Sequence, residues 1–522
     1  MRAARWMAVT AVTLVMTVTA GCGGRSSSSS PSVARELDRN GTLRVAMHYS
    51  VYPLDPHTPG SPVAAYPYVS LLYDRLTRMG PNLKLEPMLA TSWEFTPDGK
   101  TVTFHLREGV TFSDGTPVDA EAVRASLDRA RNLPQSTVKG YLNMIERVEV
   151  VDPLTVRIVA NRPAADLPYI LSSTEGAIIS PRALQNPDLD RNPVGSGPYV
   201  LTEFQLNERA VFTRREGYWD PEAAPAARIE MVNLTNDSAR LSALRSGQYD
   251  MALMKLSQYE QLGSLPDRFT TKYYPPAPTY TVGLNTARPN IDNKLVRQAM
   301  NWAIDREAIN KSLLGGQCAP LGQPLSQLYP GHLTNPPISY GYDPEKARRL
   351  LAEAGVPNGF KMRMLVGANL SPENQMAAAV QAQLAQVGID VEIVALAGAQ
   401  LYPSWTPGSE YEGFINTRPS RPTAAMTLES TFLVPTRYPG PVPPAFREAV
   451  QRAFDPNLSE AELRETLERA SAIAVEEALD LYICAVPTVI TYADNVIGAE
   501  DMGQSYFQGI PDLRYVGVAA RD

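Results

Sequence analysis

The stretch Leu85-Glu-Pro-Met-Leu-Ala-Thr-Ser-Trp-Glu-Phe-Thr-Pro-Asp-Gly-Lys-Thr-Val-Thr-Phe-His-Leu-Arg-Glu-Gly-Val-Thr-Phe-Ser-Asp-Gly-Thr-Pro117 decides the fold of this chain. At its centre, Thr96-Pro-Asp-Gly-Lys100 is a tight-turn sequence. Proline presets φ, aspartate bonds back to its own backbone, and glycine accepts a left-handed conformation. On the far side, Thr101-Val-Thr-Phe-His-Leu-Arg107 alternates apolar and polar residues with period two, so the turn joins a β-hairpin. A second turn, Ser113-Asp-Gly-Thr-Pro117, leads to Asp119, which is placed to cap a helix running through Ala130. Val148 to Val159 repeats the hairpin logic around Asp152-Pro153.

Upstream, Gly41-Thr-Leu-Arg-Val-Ala46 reads as an early strand with Leu43 and Val45 on one face. Downstream, helix and strand signals alternate. Asp292 to Leu314 carries Leu295, Ala299, Trp302, Ala303 and Ile309 at helical spacing and ends at Gly315-Gly316. Asp343-Pro344 opens a helix through Ala354, stopped by Gly355. Pro372 to Val387 is a helix stopped by Gly388, and Ile389 to Val394 is then a strand. Helix–glycine–strand units of this kind belong to α/β architecture.

The chain has 522 residues, too many for one core, so two or three subdomains are expected. Hydrophobic residues make up 44% and charged residues 20%, which places it among ordinary globular proteins. A net charge of −7 with no basic block disfavours nucleic acid as a partner. The prolines, 45 in all, often pair, as at Pro275-Pro276, Pro336-Pro337 and Pro443-Pro444, and predict long ordered loops.

The first residues carry a separate signal. Met1-Arg-Ala-Ala-Arg5 precedes an apolar run from Trp6 to Ala20, too short to span a bilayer alone, then Gly21-Cys22 and a serine run. Residues 1–21 resemble a bacterial lipoprotein signal peptide with Thr19-Ala20-Gly21-Cys22 as the lipobox. Thr19 stands where leucine is usual. The resemblance implies cleavage before Cys22 and diacylglycerol on its sulfur. An ordinary signal peptide with an incidental cysteine is the other reading. Both place the mature chain outside the cytoplasm, where disulfides are permitted, and residues 22–35 read as a flexible Ser-rich tether. Cys318 and Cys484 then remain, either as a disulfide closing a long loop or as two buried thiols.

Five segments in order resemble one family. They are the opening stretch, Gly195-Ser-Gly-Pro-Tyr199, Arg297-Gln-Ala-Met-Asn-Trp-Ala-Ile-Asp-Arg306, Asp343 to Gly355, and Gln381 to Glu392. Together they resemble the family 5 extracellular solute-binding proteins, the peptide/nickel-type binding components of ABC importers. The resemblance implies an α/β two-lobed clamshell of the class II periplasmic type. Lobe I would combine 36–69, 180–271 and 488–522, an extra subdomain would span 70–179, and lobe II would span 272–487. Two chain crossings, near Lys272–Tyr280 and Pro487–Tyr492, would form a hinge. A ligand bound between the lobes would favour the closed form. The implied role is a monomeric, lipid-anchored protein that delivers a peptide-sized solute to a permease and its ATPase, with no cofactor.

One departure bears on the ligand. Family members that bind peptides carry a lobe II segment like Trp-x-Ala-Asp-Tyr-x-Asp-Pro, whose first aspartate pairs with the peptide amino terminus. The matching segment here continues Asn416-Thr-Arg-Pro-Ser-Arg-Pro-Thr423, with no acid between Gly413 and Leu428. By position that aspartate falls near Pro419 or Ser420, flanked by Arg418 and Arg421. An ammonium taken out of water needs a negative partner, whereas arginine binds carboxylate or phosphate. An anionic solute, an oligosaccharide held by stacking, or a metal chelate is therefore weighed against a peptide. The arginines can equally be solvated loop residues. Tyr49 and Tyr52 after the first strand, Tyr280 after the first crossing and Trp405 offer flat faces to a ligand, although such aromatics more often pack. Glu175 is a candidate to supply the acid that lobe II lacks.

The competing class is an exported serine hydrolase. Ser136-Thr-Val-Lys139 has the Ser-x-x-Lys spacing but neither Ser-Asp-Asn nor Lys-Thr-Gly accompanies it, and Gly195-Ser-Gly-Pro is not a nucleophile elbow. The histidines, His48, His57, His105 and His332, form no helical metal-binding pair, so no metal site is expected.

Overall fold

The computed structural model describes residues 36–59, 61–81, 84–368, 370–418, 420–505 and 510–520. The signal segment, the tether with Cys22, and Pro419 lie outside them. Leu37–Asp522 fold together as one unit.

Two mixed sheets form the frame. The first has seven strands in the order Phe269–Tyr273, Val489–Ala493, Met251–Met254, Thr42–Met47, Arg228–Asn233, Arg209–Arg214 and Tyr199–Gln205. The early strand sits at its centre, parallel to both neighbours and buried along most of its length. The second sheet has six strands in the order Ala319–Pro320, Asp480–Ala485, Thr279–Leu284, Gly413–Arg418, Phe360–Gly367 and Ile389–Leu396. Strands Asp480–Ala485 and Thr279–Leu284 are buried throughout, as expected of central strands covered on both faces. The chain passes between sheets twice, through 274–278 and through 486–488. The two passages hold each other: Tyr274 N donates to Thr488 O at 2.9 Å and Val486 N donates to Pro278 O at 2.8 Å.

A third sheet, Ala90–Phe95, Thr101–Leu106, Thr155–Ala160 and Ile145–Asp152, is antiparallel, and its first two strands come from the stretch Leu85–Pro117. Its hairpin turn forms at Pro97–Gly99, where Gly99 takes φ +67° and Asp98 Oδ1 accepts from Lys100 N. The first part of the predicted hairpin arm behaves differently: Leu85–Pro87 pairs with Thr77–Met79 instead, because Pro87 cannot donate to the ladder and ends that pairing. Helix Ala120–Asn132 covers the sheet, capped by Asp119 as its sequence predicts. The core of this sheet, with Phe104, Leu127 and Ile158, runs without a break into Phe432, Phe446 and Leu467 of the second lobe. Each such fully buried side chain contributes roughly 1.5–3 kcal/mol.

The stretch 292–314, expected as one helix, is two: Lys294–Trp302 and Arg306–Leu314. Asp305 caps the second by accepting from Ala308 N at 2.9 Å. The break lets Arg306 turn inward. Its buried guanidinium donates to the Asn301, Leu321 and Tyr482 carbonyls, and burial lowers its pKa to about 10. The Gly195-Ser-Gly motif also has a physical reason. A Cβ on Gly195 or Gly197 would lie 2.1 Å from Leu72 O or 2.4 Å from Leu71 O, so only glycine lets this segment pass the end of helix Pro62–Leu72.

Candidate ligand-binding cleft

Two cavities lie between the layers built on the three sheets. The first, about 300 Å³, sits against the chain passages. His48, Tyr49 and Lys255 line it from the first sheet, Tyr280, Thr417 and Ser420 from the second, and Pro278 and Thr488 from the passages. His48 and Tyr49 directly follow the central strand Thr42–Met47, which places their side chains at the sheet's end, and their rings stand 4.1 Å apart. Burial lowers the His48 pKa to about 4, so its imidazole is neutral and bonds to the Leu253 carbonyl at 3.3 Å. Burial pushes the Tyr49 hydroxyl up to about 12, and burial together with Glu373 raises that of Tyr280 further. Both phenols keep their protons and can donate to a solute. Thr417 donates to Glu373 at 3.0 Å.

The second cavity, about 580 Å³, lies between residues 140–170, around the third sheet, and residues 421–437, which follow strand Gly413–Arg418. Tyr141, Arg162 and Asp166 line it from one side, and Arg421, Glu429 and Arg437 from the other. Arg162 donates to Asp166 at 3.2 and 2.8 Å and lies 3.9 Å from Glu429. Burial raises the pKa of both carboxyls, with Arg162 opposing it. Arg421 is buried with its guanidinium 5.4 Å from the Tyr141 ring centre. The walls are joined: Ala165 N donates to Phe454 O at 3.3 Å and Asn457 Nδ2 donates to Pro97 O at 3.0 Å.

The structure sorts the residues singled out from sequence. Tyr49 and Tyr280 line the first cavity, and Arg421 lines the second. Arg418 is not solvated and lines neither of the two cavities. It is buried beneath its own sheet, 3.4 Å from Asp480 two strands away, and donates to the Arg437 carbonyl at 2.9 Å. Trp405 is fully buried, its Nε1 donating to Arg437 O at 2.9 Å and its ring packed 5.7 Å from Phe414, so it offers no face to a ligand. Tyr52 packs on the first lobe's core, Glu175 is fully buried on the turn Thr174–Gly176, and Asn416 carries a buried Oδ1; these three line neither cavity. His57 is buried and bonded by Arg129 at 2.8 Å. Cys318 and Cys484 form a disulfide, with Cα atoms 5.9 Å apart. Among the described residues, no group of three His, Cys, Asp or Glu side chains could hold a metal ion.

Three participants escaped the sequence reading. Asp480 opens the apolar run Asp480-Leu-Tyr-Ile-Cys-Ala485, and a lone acid at the head of a buried strand is a usable sign of a buried pair. Lys255 and Arg437 sit in loops with no local signal.

Comparison with known proteins agrees with this architecture. The glutathione-binding protein GsiB of Salmonella paratyphi A is 33% identical over 341 residues, covering 63% of this chain and 64% of that protein, so the match spans under two thirds of the relative's length. The periplasmic binding protein DppA from Helicobacter pylori, solved with the peptide STSA, superposes with a TM-score of 0.77 at 25% identity over 92% of this chain and 98% of that one. NikA from Brucella suis, solved with Fe(III)-EDTA, gives 0.77 at 25% identity over 87% and 96%. The profile of the bacterial extracellular solute-binding proteins, family 5 Middle, matches residues 84–428, and the chain, with its two sheets bridged by two chain passages, belongs to that family.

Proposed function

We propose that this protein is the substrate-binding component of an ABC importer, capturing a small solute between its two sheets and presenting it to a membrane permease. The observation that carries the reading is the hinge-side cavity, whose walls come from both sheets and from the passages between them. A solute touching His48 on one side and Tyr280 on the other favours the closed arrangement by its differential affinity for it. Relatives named for glutathione, a peptide and an iron chelate support a solute of that size. A thermal-shift screen of the purified protein tests the reading. Glutathione, di- to pentapeptides, oligosaccharides and nickel–histidine form the panel. A true ligand raises the melting temperature with the logarithm of its concentration, and a flat response across all classes overturns solute capture.

Anchoring is part of the same proposal. The lipobox-like Thr19-Ala20-Gly21-Cys22 supports lipidation of Cys22, and among the described residues no helix is long and apolar enough to cross a membrane. One acyl chain binds membranes only marginally, and several chains are needed for stable attachment. Changing Cys22 to Ser should move the protein from the membrane to the soluble extracytoplasmic fraction and abolish labelling by radioactive palmitate. A labelled, membrane-bound Cys22→Ser variant refutes anchoring through this residue.

A further inference from the structure

The second cavity carries more positive than negative charge, and its charges are not evenly matched. Three guanidinium groups line it, from Arg162, Arg421 and Arg437, against two carboxyls, from Asp166 and Glu429. Both carboxyls face Arg162. Arg421 and Arg437 stand with Glu429 in the wall opposite Arg162. Arg437 is half-buried, and among the described residues its side chain makes no ion pair or hydrogen bond. It is instead crowded by like charge: burial lowers its pKa first, then Arg421, with Arg418 adding to the effect. A half-buried cation beside two others, without an acid, costs the folded protein stability. A planar oxyanion is the group that a guanidinium fork binds best.

We propose that this cavity takes the anionic group, a carboxylate or a phosphate, of a captured solute that extends from the hinge-side cavity past Ser420 to the adjoining Arg421, with Arg437 as its principal partner and the Tyr141 ring as a flat wall. The inference rests on the solute-capture reading and specifies its chemistry. It moves the anion-binding role from Arg418, which is committed to Asp480, to a residue nineteen positions further on. The remaining space, in a cavity of about 580 Å³, suits a solute larger than a bare ion.

Titration of purified protein by calorimetry tests this. Glutathione, citrate, N-acetylglutamate and glucose 6-phosphate are the anionic probes. N-Acetylglutathione diethyl ester, triethyl citrate, N-acetylglutamine amide and glucose are their neutral counterparts, and maltotriose and an N-acetylated, C-terminally amidated tripeptide are further neutral solutes. At least one anionic probe should bind, its neutral counterpart at least tenfold more weakly. Whether the carboxylates or the phosphate respond identifies the source of the anion. Arg437→Gln should weaken that probe tenfold or more, Arg437→Lys should recover part of the loss, and raised salt should weaken wild type more than Arg437→Gln. Without ligand, Arg437→Gln should melt at or above the wild-type temperature, because the side chain has no partner to lose. Equal affinity in Arg437→Gln, or binding of the neutral solutes alone, overturns the anion site while leaving solute capture standing. A lower melting point for ligand-free Arg437→Gln assigns the residue to the fold and overturns it as well. Failure of every probe, charged and neutral, overturns both readings.

Discussion

Replacing Arg418 with alanine is expected to destabilise the second lobe by about 3–5 kcal/mol, the usual cost of leaving a buried charge without its partner. The partner is Asp480, which is fully buried. Its carboxylate accepts from Thr281 Oγ1 at 3.3 Å and Leu284 N at 3.4 Å, and Arg418 approaches to 3.4 Å. Even so, burial outweighs these contacts and pushes the Asp480 pKa up to about 6. The sign of the pH effect follows. A carboxyl whose folded pKa lies above its unfolded value binds more protons in the folded state, so stability falls as pH rises from about 4 to about 6 and then levels. Removing Arg418 takes away the main force holding that pKa down. The deficit of Arg418→Ala should therefore be larger at pH 8 than at pH 5, where Asp480 can take up a proton. Urea denaturation at the two pH values checks it. A deficit that does not change with pH would mean the loss comes from packing alone. The double change Arg418→Met with Asp480→Leu should recover most of the stability, since an apolar pair of similar volume often matches or exceeds a buried ion pair.

That pair also marks where sequence stops being informative. The hairpin at Pro97–Gly99, the Asp119 cap and the helix opened by Asp343 were legible because their causes are local: a turn residue or a cap acts within about four positions. Arg418 and Asp480 are brought together by strand Thr279–Leu284, which separates their strands in the sheet and lies more than a hundred residues earlier in the chain. No spacing rule reaches that far. Arg418 therefore read as a ligand arginine on family position alone, while Arg437, in a proline-bounded loop, carried no pattern. The break at Ala303–Asp305 lies between these cases. Asp305 is a visible capping residue, but the apolar spacing continues across it to Ile309 and favours a single helix on paper. In the structure the carbonyl contacts of Arg306 decide the matter, and they involve Leu321 and Tyr482. Trp405 shows the same limit in reverse: its proline-rich surroundings suggest an exposed loop, yet the Arg437 carbonyl gives its indole N–H a partner and permits full burial.

Loss of the Cys318–Cys484 bond is expected to have the largest effect of all. The half-cystines are 166 residues apart in sequence, and closing so long a loop restricts the unfolded chain by about 5 kcal/mol in the chain-entropy account. The loop takes in the strands Thr279–Leu284's two partners along with most of the second lobe's helices, and it starts from a fixed point: Asn310 clamps Cys318 on both sides, accepting from its N–H at 3.0 Å and donating to its carbonyl at 2.7 Å. Cys484 lies in the buried strand Asp480–Ala485, two residues before the passage to the first lobe begins. That strand is paired with Thr279–Leu284 through backbone hydrogen bonds that do not involve the sulfurs, so the native sheet and the hinge-side cavity should survive reduction. The prediction is accordingly split. Changing both cysteines to serine should lower the urea midpoint strongly, while the affinity of any solute found by the thermal-shift screen stays within about twofold of wild type in the absence of denaturant. An unchanged midpoint would mean that the unfolded chain is already compact enough to gain little freedom when the bond is removed. A midpoint that falls together with affinity would mean that the bond also holds the passages in register, and would make the hinge, rather than the lobe, the element it serves.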